Sequence, residues 1–301
     1  MALFIDPPQW PAHGTVFSHL ISDESVDELH AFAEAVGLSR RAFDGDHYDV
    51  PAHRYPTVVA LGAREVTAGE LVRRLTDSGL RIRAAHRPSK VQRVLKSRFG
   101  RLFPVEALSS ASVIRDDLLY RWAEPHRSYH DQTHLLAVLN TIDFLERHGE
   151  SSGAYPRALR LAAWFHDAVY LVDGAAGEAE EASAQLAERT LSEFGLTDSE
   201  VEETARLVRL TTHHRPENDD EAGALFSDAD LEVLGRAPAL YERYRLGIMS
   251  EYGHLDAEIF TRGRAAVLRT LLEQDPLYNT RTGRDRWETQ AKRNLAEELQ
   301  R

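Results

Sequence analysis

Four short runs of metal-competent residues arrive in order along the chain: Tyr129-His130-Asp131-Gln132-Thr133-His134, Trp164-Phe165-His166-Asp167, Thr211-Thr212-His213-His214 and Ser227-Asp228-Ala229-Asp230. Imidazole and carboxylate without sulfur suit borderline or hard divalent ions such as Mn, Fe, Co, Ni, Zn or Mg. Cysteine is absent, which excludes disulfides, thiolate nucleophiles, zinc-thiolate sites and iron-sulfur clusters. Any metal must therefore be held by carboxylates and by the 14 histidines. The pair His166-Asp167 is the most telling, because it ends the apolar run Leu159, Leu161, Ala162, Ala163, Trp164 and Phe165. An unpaired carboxylate carried into a core costs several kcal/mol, and coordination of a cation is one of the few arrangements that offsets this. Taken singly, each run also has an ordinary reading. His213-His214 suits the polar end of a helix, where imidazolium meets the C-terminal dipole, and Asp228 suits a helix N-cap. The ordered set, each member joined to an apolar helix, is what carries the metal reading.

The elements that must position these residues are helical. From Val91 onward, three-and-four spacing of apolar residues predicts helices at Leu135–Leu145, Ala158–Tyr170, Glu180–Phe194, Ser199–Thr212, Pro238–Tyr252, Ile259–Leu272 and Arg284–Leu299. Glycines and Pro276 separate them. His130 and His134, four apart, share a face if their helix already begins near Tyr129. The first ninety residues read instead as a small α/β unit. Leu3-Phe4-Ile5 is a short strand-like run, Ser25 caps a helix to Val36 that Gly37 stops, and Thr67 with Glu70 forms a capping box for a second helix to Leu75. Leu80 to Ala84 alternates apolar and basic residues as a half-buried strand would. His86-Arg87-Pro88-Ser89-Lys90 breaks the periodicity, so the expected domains are 1–88, small α/β, and 91–301, a helical metal-binding bundle: a mainly α protein.

Composition narrows the partners. The 301 residues carry 36 Lys and Arg against 48 Asp and Glu, a formal charge of −12, which disfavours general nucleic-acid binding and leaves a small phosphorylated ligand as the expected anion. No run approaches the roughly 18 apolar residues of a membrane helix, and the N-terminus lacks a basic region followed by an apolar stretch, so the expectation is a cytoplasmic protein with no membrane partner.

The order His, His-Asp, Asp on successive helices resembles the HD superfamily of metal-dependent phosphohydrolases. Arg127-Ser128-Tyr129-His130, His166-Asp167-Ala168-Val169-Tyr170, Glu180-Glu181-Ala182-Ser183-Ala184, Asp228-Ala229-Asp230-Leu231 and Glu251-Tyr252 resemble a bacterial subgroup of predicted phosphohydrolases. The resemblance spans about 91–301 and implies an HD-type helical bundle with His134, His166, Asp167 and Asp228 as metal ligands. The apolar run after His134 favours it over His130, and the family's Asp-x-Asp-Leu pattern favours Asp228 over Asp230. His213 and His214 lie where binuclear members bring extra histidines, so they and Asp230 are the candidates for serving a second ion. The implied activity is hydrolysis of a phosphoester or phosphoanhydride in a nucleotide or other small molecule. In that reading His130 or Glu181 handles protons or orients water, and Arg127 pairs with phosphate. Two alternatives remain open: an HD-type di-iron oxygenase, and a non-catalytic metal-containing protein that binds a nucleotide or regulatory partner.

Ile5-Asp6-Pro7-Pro8, Trp10 to Gly14 and Asp46 to Pro51 resemble a small bacterial domain of unassigned function. His13, His19, Asp46, His47, Asp49 and His53 fall there. Asx and Pro turns predict a loop-rich surface, with a second polar site as the alternative.

Overall fold

The structure is a computed structural model and describes residues 3–12, 14–78, 80–81, 88–172, 174–175 and 177–301. Its residues separate into two units, Met1–Lys90 and Val91–Arg301, and the fold is mainly α with a small N-terminal α/β unit. His13, His86, Arg87 and residues 82–84 of the expected strand lie outside the described residues, and Leu80 and Arg81 are not in a strand.

In the first unit, β1 (Leu3–Ile5), β2 (Trp10–Ala12), β3 (Thr15–Ser22), β4 (Tyr48–Pro51) and β5 (Arg64–Glu65) form one sheet. Leu20 of β3 pairs with both Ile5 and Tyr48, and Phe17 with both Trp10 and Pro51. Strands β1 and β2 therefore share one edge of β3, β4 takes the other, and all three are antiparallel to it. Strand β5 adds in parallel to β1. Side chains alternate between the two faces. Leu3, Ile5, Leu20, Tyr48 and Val50 pack with Leu29 and Ala33 of α1 (Val26–Ala35), and Val58 of the short α2 (Tyr55–Ala60) joins them. On the opposite face Phe4 and Ile21 meet Leu71 and Leu75 of α3 (Ala68–Asp77). The Ser25 hydroxyl caps α1, accepting from the Glu28 amide at 3.0 Å, and Gly37 turns the chain at φ +71°. Thr67 caps α3, but Glu70 pairs with Arg74 at 2.8 Å instead of closing the expected box.

The stretches around Trp10 and Asp46, expected as loops, contain β2 and β4. Pro11 and Pro51 misdirect the reading, because each pairs with β3 on one side only, where a missing N–H does no harm.

The second unit comprises α4 (Pro88–Gly100), α5 (Leu108–Arg121), α6 (Gln132–Arg147), α7 (Pro156–Phe165), α8 (Glu178–Leu191), α9 (Asp198–Leu210), α10 (Glu221–Leu231), α11 (Pro238–Glu251), α12 (Ala257–Leu272) and α13 (Arg281–Leu299). One apolar cluster runs from α4 to α10 around Trp122, Trp164 and Phe165, and a second joins α11, α12 and α13 around Tyr241, Leu268 and Leu295. The seven expected helices are present with shifted ends. Helices α4, α5 and α10 are not among those the spacing marks. The largest shift is in α7, which stops at Phe165 rather than Tyr170, because Ser183 of α8 engages the backbone of Val169, accepting from its N–H (3.0 Å) and donating to its carbonyl (3.2 Å). Among the described residues, no helix is long and apolar enough to cross a membrane.

Candidate metal centre

Helix α7 is the element on which the site depends. Leu159, Leu161, Trp164 and Phe165 are fully buried, and each large side chain so placed contributes about 1.5–3 kcal/mol. That anchorage carries His166 and Asp167 inward just where the helix ends. The Nδ1–H of His166 donates to the Ala163 carbonyl at 3.0 Å, which fixes the ring and leaves Nε2 as the outward-facing donor. Trp122, pinned by its indole N–H to the Trp164 carbonyl at 3.0 Å, lies 5.2 Å from the His166 ring.

Helix α6 delivers the second imidazole. Asp131 caps it, accepting from the amides of Thr133 (2.7 Å) and His134 (3.1 Å). The helix thus begins at Gln132, and His130 belongs to the loop before it rather than to the same helical face. His134 Nε2 lies 3.3 Å from His166 Nε2 and 3.9 Å from Asp167 Oδ2, and His166 Nε2 lies 3.2 Å from Asp167 Oδ2. Donor atoms of His134, His166 and Asp167 all fall within 4.8 Å of one another.

Asp230 supplies the next carboxylate, 3.0 Å from His134 Nε2 and 3.5 Å from His166 Nε2. This corrects the assignment of Asp228. Residues two apart on a helix project to nearly opposite sides, and Asp228 faces the start of α13. There it accepts from the Asn279 amide (2.7 Å), the Thr280 amide (2.8 Å) and the Thr280 hydroxyl (2.6 Å). Burial pushes its carboxyl up to about 6 despite those donors.

The two neighbouring histidines also part company. His213 is exposed and accepts from the Arg215 amide. His214 occupies the left-handed region at φ 52°, a conformation uncommon for a non-glycine residue. Its Nε2 lies 3.6 Å from Asp230 Oδ2, and its Nδ1 is buried without a hydrogen-bond partner.

His130 stands beside the cluster, its ring 5.6 Å from that of His134. Its Nδ1–H donates to Glu251 Oε2 at 2.7 Å, and the Tyr170 hydroxyl donates to the same oxygen at 2.8 Å. The other oxygen of Glu251 accepts from the amides of Ser128, Tyr129 and His130 at 2.7, 2.7 and 2.8 Å. Burial pushes Glu251 up, but the bond and charge of His130 with the Tyr129 and His130 amides outweigh it and bring its pKa to about 2. For His130, burial opposes the charged form, while Asp167 and Glu251 raise its proton affinity above the ordinary value. Nothing in the local sequence around Glu251 or Tyr170 gives either residue a role. Their part emerges only when the last turn of α11 is brought against the 128–130 loop.

Two sequence candidates are placed elsewhere. Glu181 is 46% exposed and paired by both oxygens with Arg209 at 2.6 and 2.9 Å, so it does not handle protons at the cluster. The Arg127 side chain is 0% exposed. It pairs with Glu124, donates to the His130 carbonyl at 3.0 Å, and lies over the rings of Trp122 and Tyr170. Its covered guanidinium positions the His130 loop and is not presented to an anion.

The residues present fit a divalent cation. Two ring nitrogens at 3.3 Å with two carboxylates at their side offer lone pairs to a common point, and the donor set is nitrogen and oxygen without sulfur. A family described as a protein of unknown function (DUF4031) matches residues 3–78, all within the first unit. No curated protein and no solved structure matches the chain.

Proposed function

We propose that the second unit is an HD-type metal-dependent phosphohydrolase acting on a phosphoester or phosphoanhydride of a nucleotide or other small molecule. The observation that carries this reading is the convergence of His134, His166 and Asp167 within 4.8 Å, with Asp230 beside them. A divalent ion held by these four residues supplies Lewis acidity towards a phosphoryl oxygen and lowers the pKa of water. The chain's own residues do the rest. His166 is oriented by the Ala163 carbonyl. His130, tethered through Nδ1 to Glu251, exchanges a proton at its other ring nitrogen. Trp122 and Phe226 wall the His166 side of the cluster and exclude water.

The test is metal analysis together with phosphate release from a panel of nucleotides and phosphoesters in Mn, Co, Ni or Mg. His134→Ala and His166→Ala should lose bound metal and turnover, whereas His130→Ala should keep most of the metal and lose turnover. Metal lost only in the His130 variant, or no phosphate released under any condition, sinks the proposal. A second reading, oxidation by paired iron, draws on the two-sided placement of Asp230, whose Oδ1 faces His134 and His166 while Oδ2 faces His214. Oxygen uptake with ferrous iron, in the absence of phosphate release, selects it.

A further inference from the structure

The first unit holds a separate constellation on its sheet. His19 of β3 and Asp49 of β4 are register partners, and His47 precedes Asp49 by two residues, which places it on the same face of the chain. Asp6, just past β1, and Trp10 of β2 reach the same spot. This is the face on which Phe4 and Ile21 are covered by α3.

Each imidazole is held by its own carboxylate. His19 Nδ1 lies 3.1 Å from Asp6 Oδ2, which also accepts from the Trp10 indole at 2.9 Å. His47 Nδ1 lies 2.5 Å from Asp46 Oδ1. Asp6 and Asp46 are almost wholly buried. With both Nδ1 atoms engaged, both Nε2 atoms turn to Asp49 Oδ1, at 3.9 Å from His19 and 3.5 Å from His47. Donor atoms of His19, His47 and Asp49 all lie within 4.8 Å of one another.

We propose that His19 Nε2, His47 Nε2 and the Asp49 carboxylate form a second metal site, for a first-row divalent transition ion, with Asp6 and Asp46 orienting the two imidazoles. Metal-ligand bonds of about 2.1 Å imply donor-donor separations of about 3–3.5 Å, so a small inward movement closes the site. The carboxylate–histidine pairing is the arrangement that fixes the ring and raises ligand basicity at metal centres. Charge points the same way. Asp6, Asp46 and Asp49 set three carboxylates around the two rings, and a divalent cation offsets that charge. His19 and Asp49 are 26% and 43% exposed, so the site opens to solvent and leaves coordination positions for water or an exchangeable anion. The inference does not rest on the chemistry of the second unit.

The test titrates Co²⁺ into the full chain carrying His166→Ala and Asp167→Ala, following heat and visible absorption. One equivalent should bind. Adding His19→Ala and Asp49→Asn should weaken that binding at least 100-fold, with the metal-free melting temperature little changed, since both side chains are partly exposed. His53→Ala, at a nearby exposed histidine, should leave it intact. Should the background variant fail to fold, the same pair of substitutions in the parent chain should remove one equivalent of Co²⁺. Undiminished Co²⁺ binding after loss of His19 and Asp49, or no binding in a folded background chain, overturns the proposal.

Discussion

Glu251 shows how one side chain can hold a catalytic candidate without touching the candidate metal. A single carboxylate accepts three consecutive amides, a tyrosine hydroxyl and the His130 ring, so the charge on Glu251 and the placement of His130 are one feature. Its pKa of about 2 lies below the ordinary 4.5. A depressed carboxylate contributes stability that is fully present above about pH 4.5 and is lost as pH falls towards 2, by linkage about 3 kcal/mol. Glu251→Gln keeps one oxygen for the amides but gives up the charge and the acceptor facing His130 and Tyr170. At pH 7 the variant should be about 2–3 kcal/mol less stable in urea melts, and the gap should narrow as pH falls from 4.5 to 2. A gap independent of pH would show that the charge contributes nothing.

At the level of elements, α10 serves two purposes with residues two apart. Asp230 turns to the histidines, while Asp228 ties α10 to the first turn of α13. Gly283 in that turn has no alternative, because a Cβ there would lie 2.3 Å from Asp228 Oδ2. Asp228→Ala strands buried amides of Asn279 and Thr280 and should cost about 2–4 kcal/mol while sparing bound metal. Gly283→Ala should cost about 1–3 kcal/mol through overpacking. Asp230→Ala should do the reverse of Asp228→Ala: little change in thermal stability and at least tenfold weaker metal affinity. Denaturant melts paired with metal analysis read both, and metal lost from the Asp228 variant with the Asp230 variant unaffected would restore the original assignment.

At the scale of the molecule, each apolar cluster draws its residues from one unit. Those of the helical unit run from Val91 to Leu295, and those of the sheet unit from Leu3 to Leu75. A fragment spanning 91–301 should therefore fold alone, show a helical circular dichroism spectrum, and bind metal through His134, His166, Asp167 and Asp230. An insoluble fragment beside a well-behaved full chain would mean that the two units share a core.

Local patterning determined what local physics controls. The three-and-four repeat marked seven helices because burial of one face imposes that spacing on every amphipathic helix, and the apolar run before His166 announced a buried polar pair. The absence of cysteine restricted any metal to nitrogen and oxygen donors. What remained undecided depended on orientation about an axis or on partners distant in sequence. The Asp-x-Asp-Leu pattern points to Asp228, and only packing of α10 between α6 and α13 turns Asp230 to the histidines instead. His213 and His214 are separated by a left-handed turn that no propensity marks. Glu251 lies 121 residues from His130 and acquires its role when α11 meets that loop. In the first unit, Pro11 and Pro51, each paired on one side only, concealed β2 and β4. With those strands hidden, so was the register that sets His19 opposite Asp49: cross-strand proximity is a property of pairing, which single-chain periodicity does not encode.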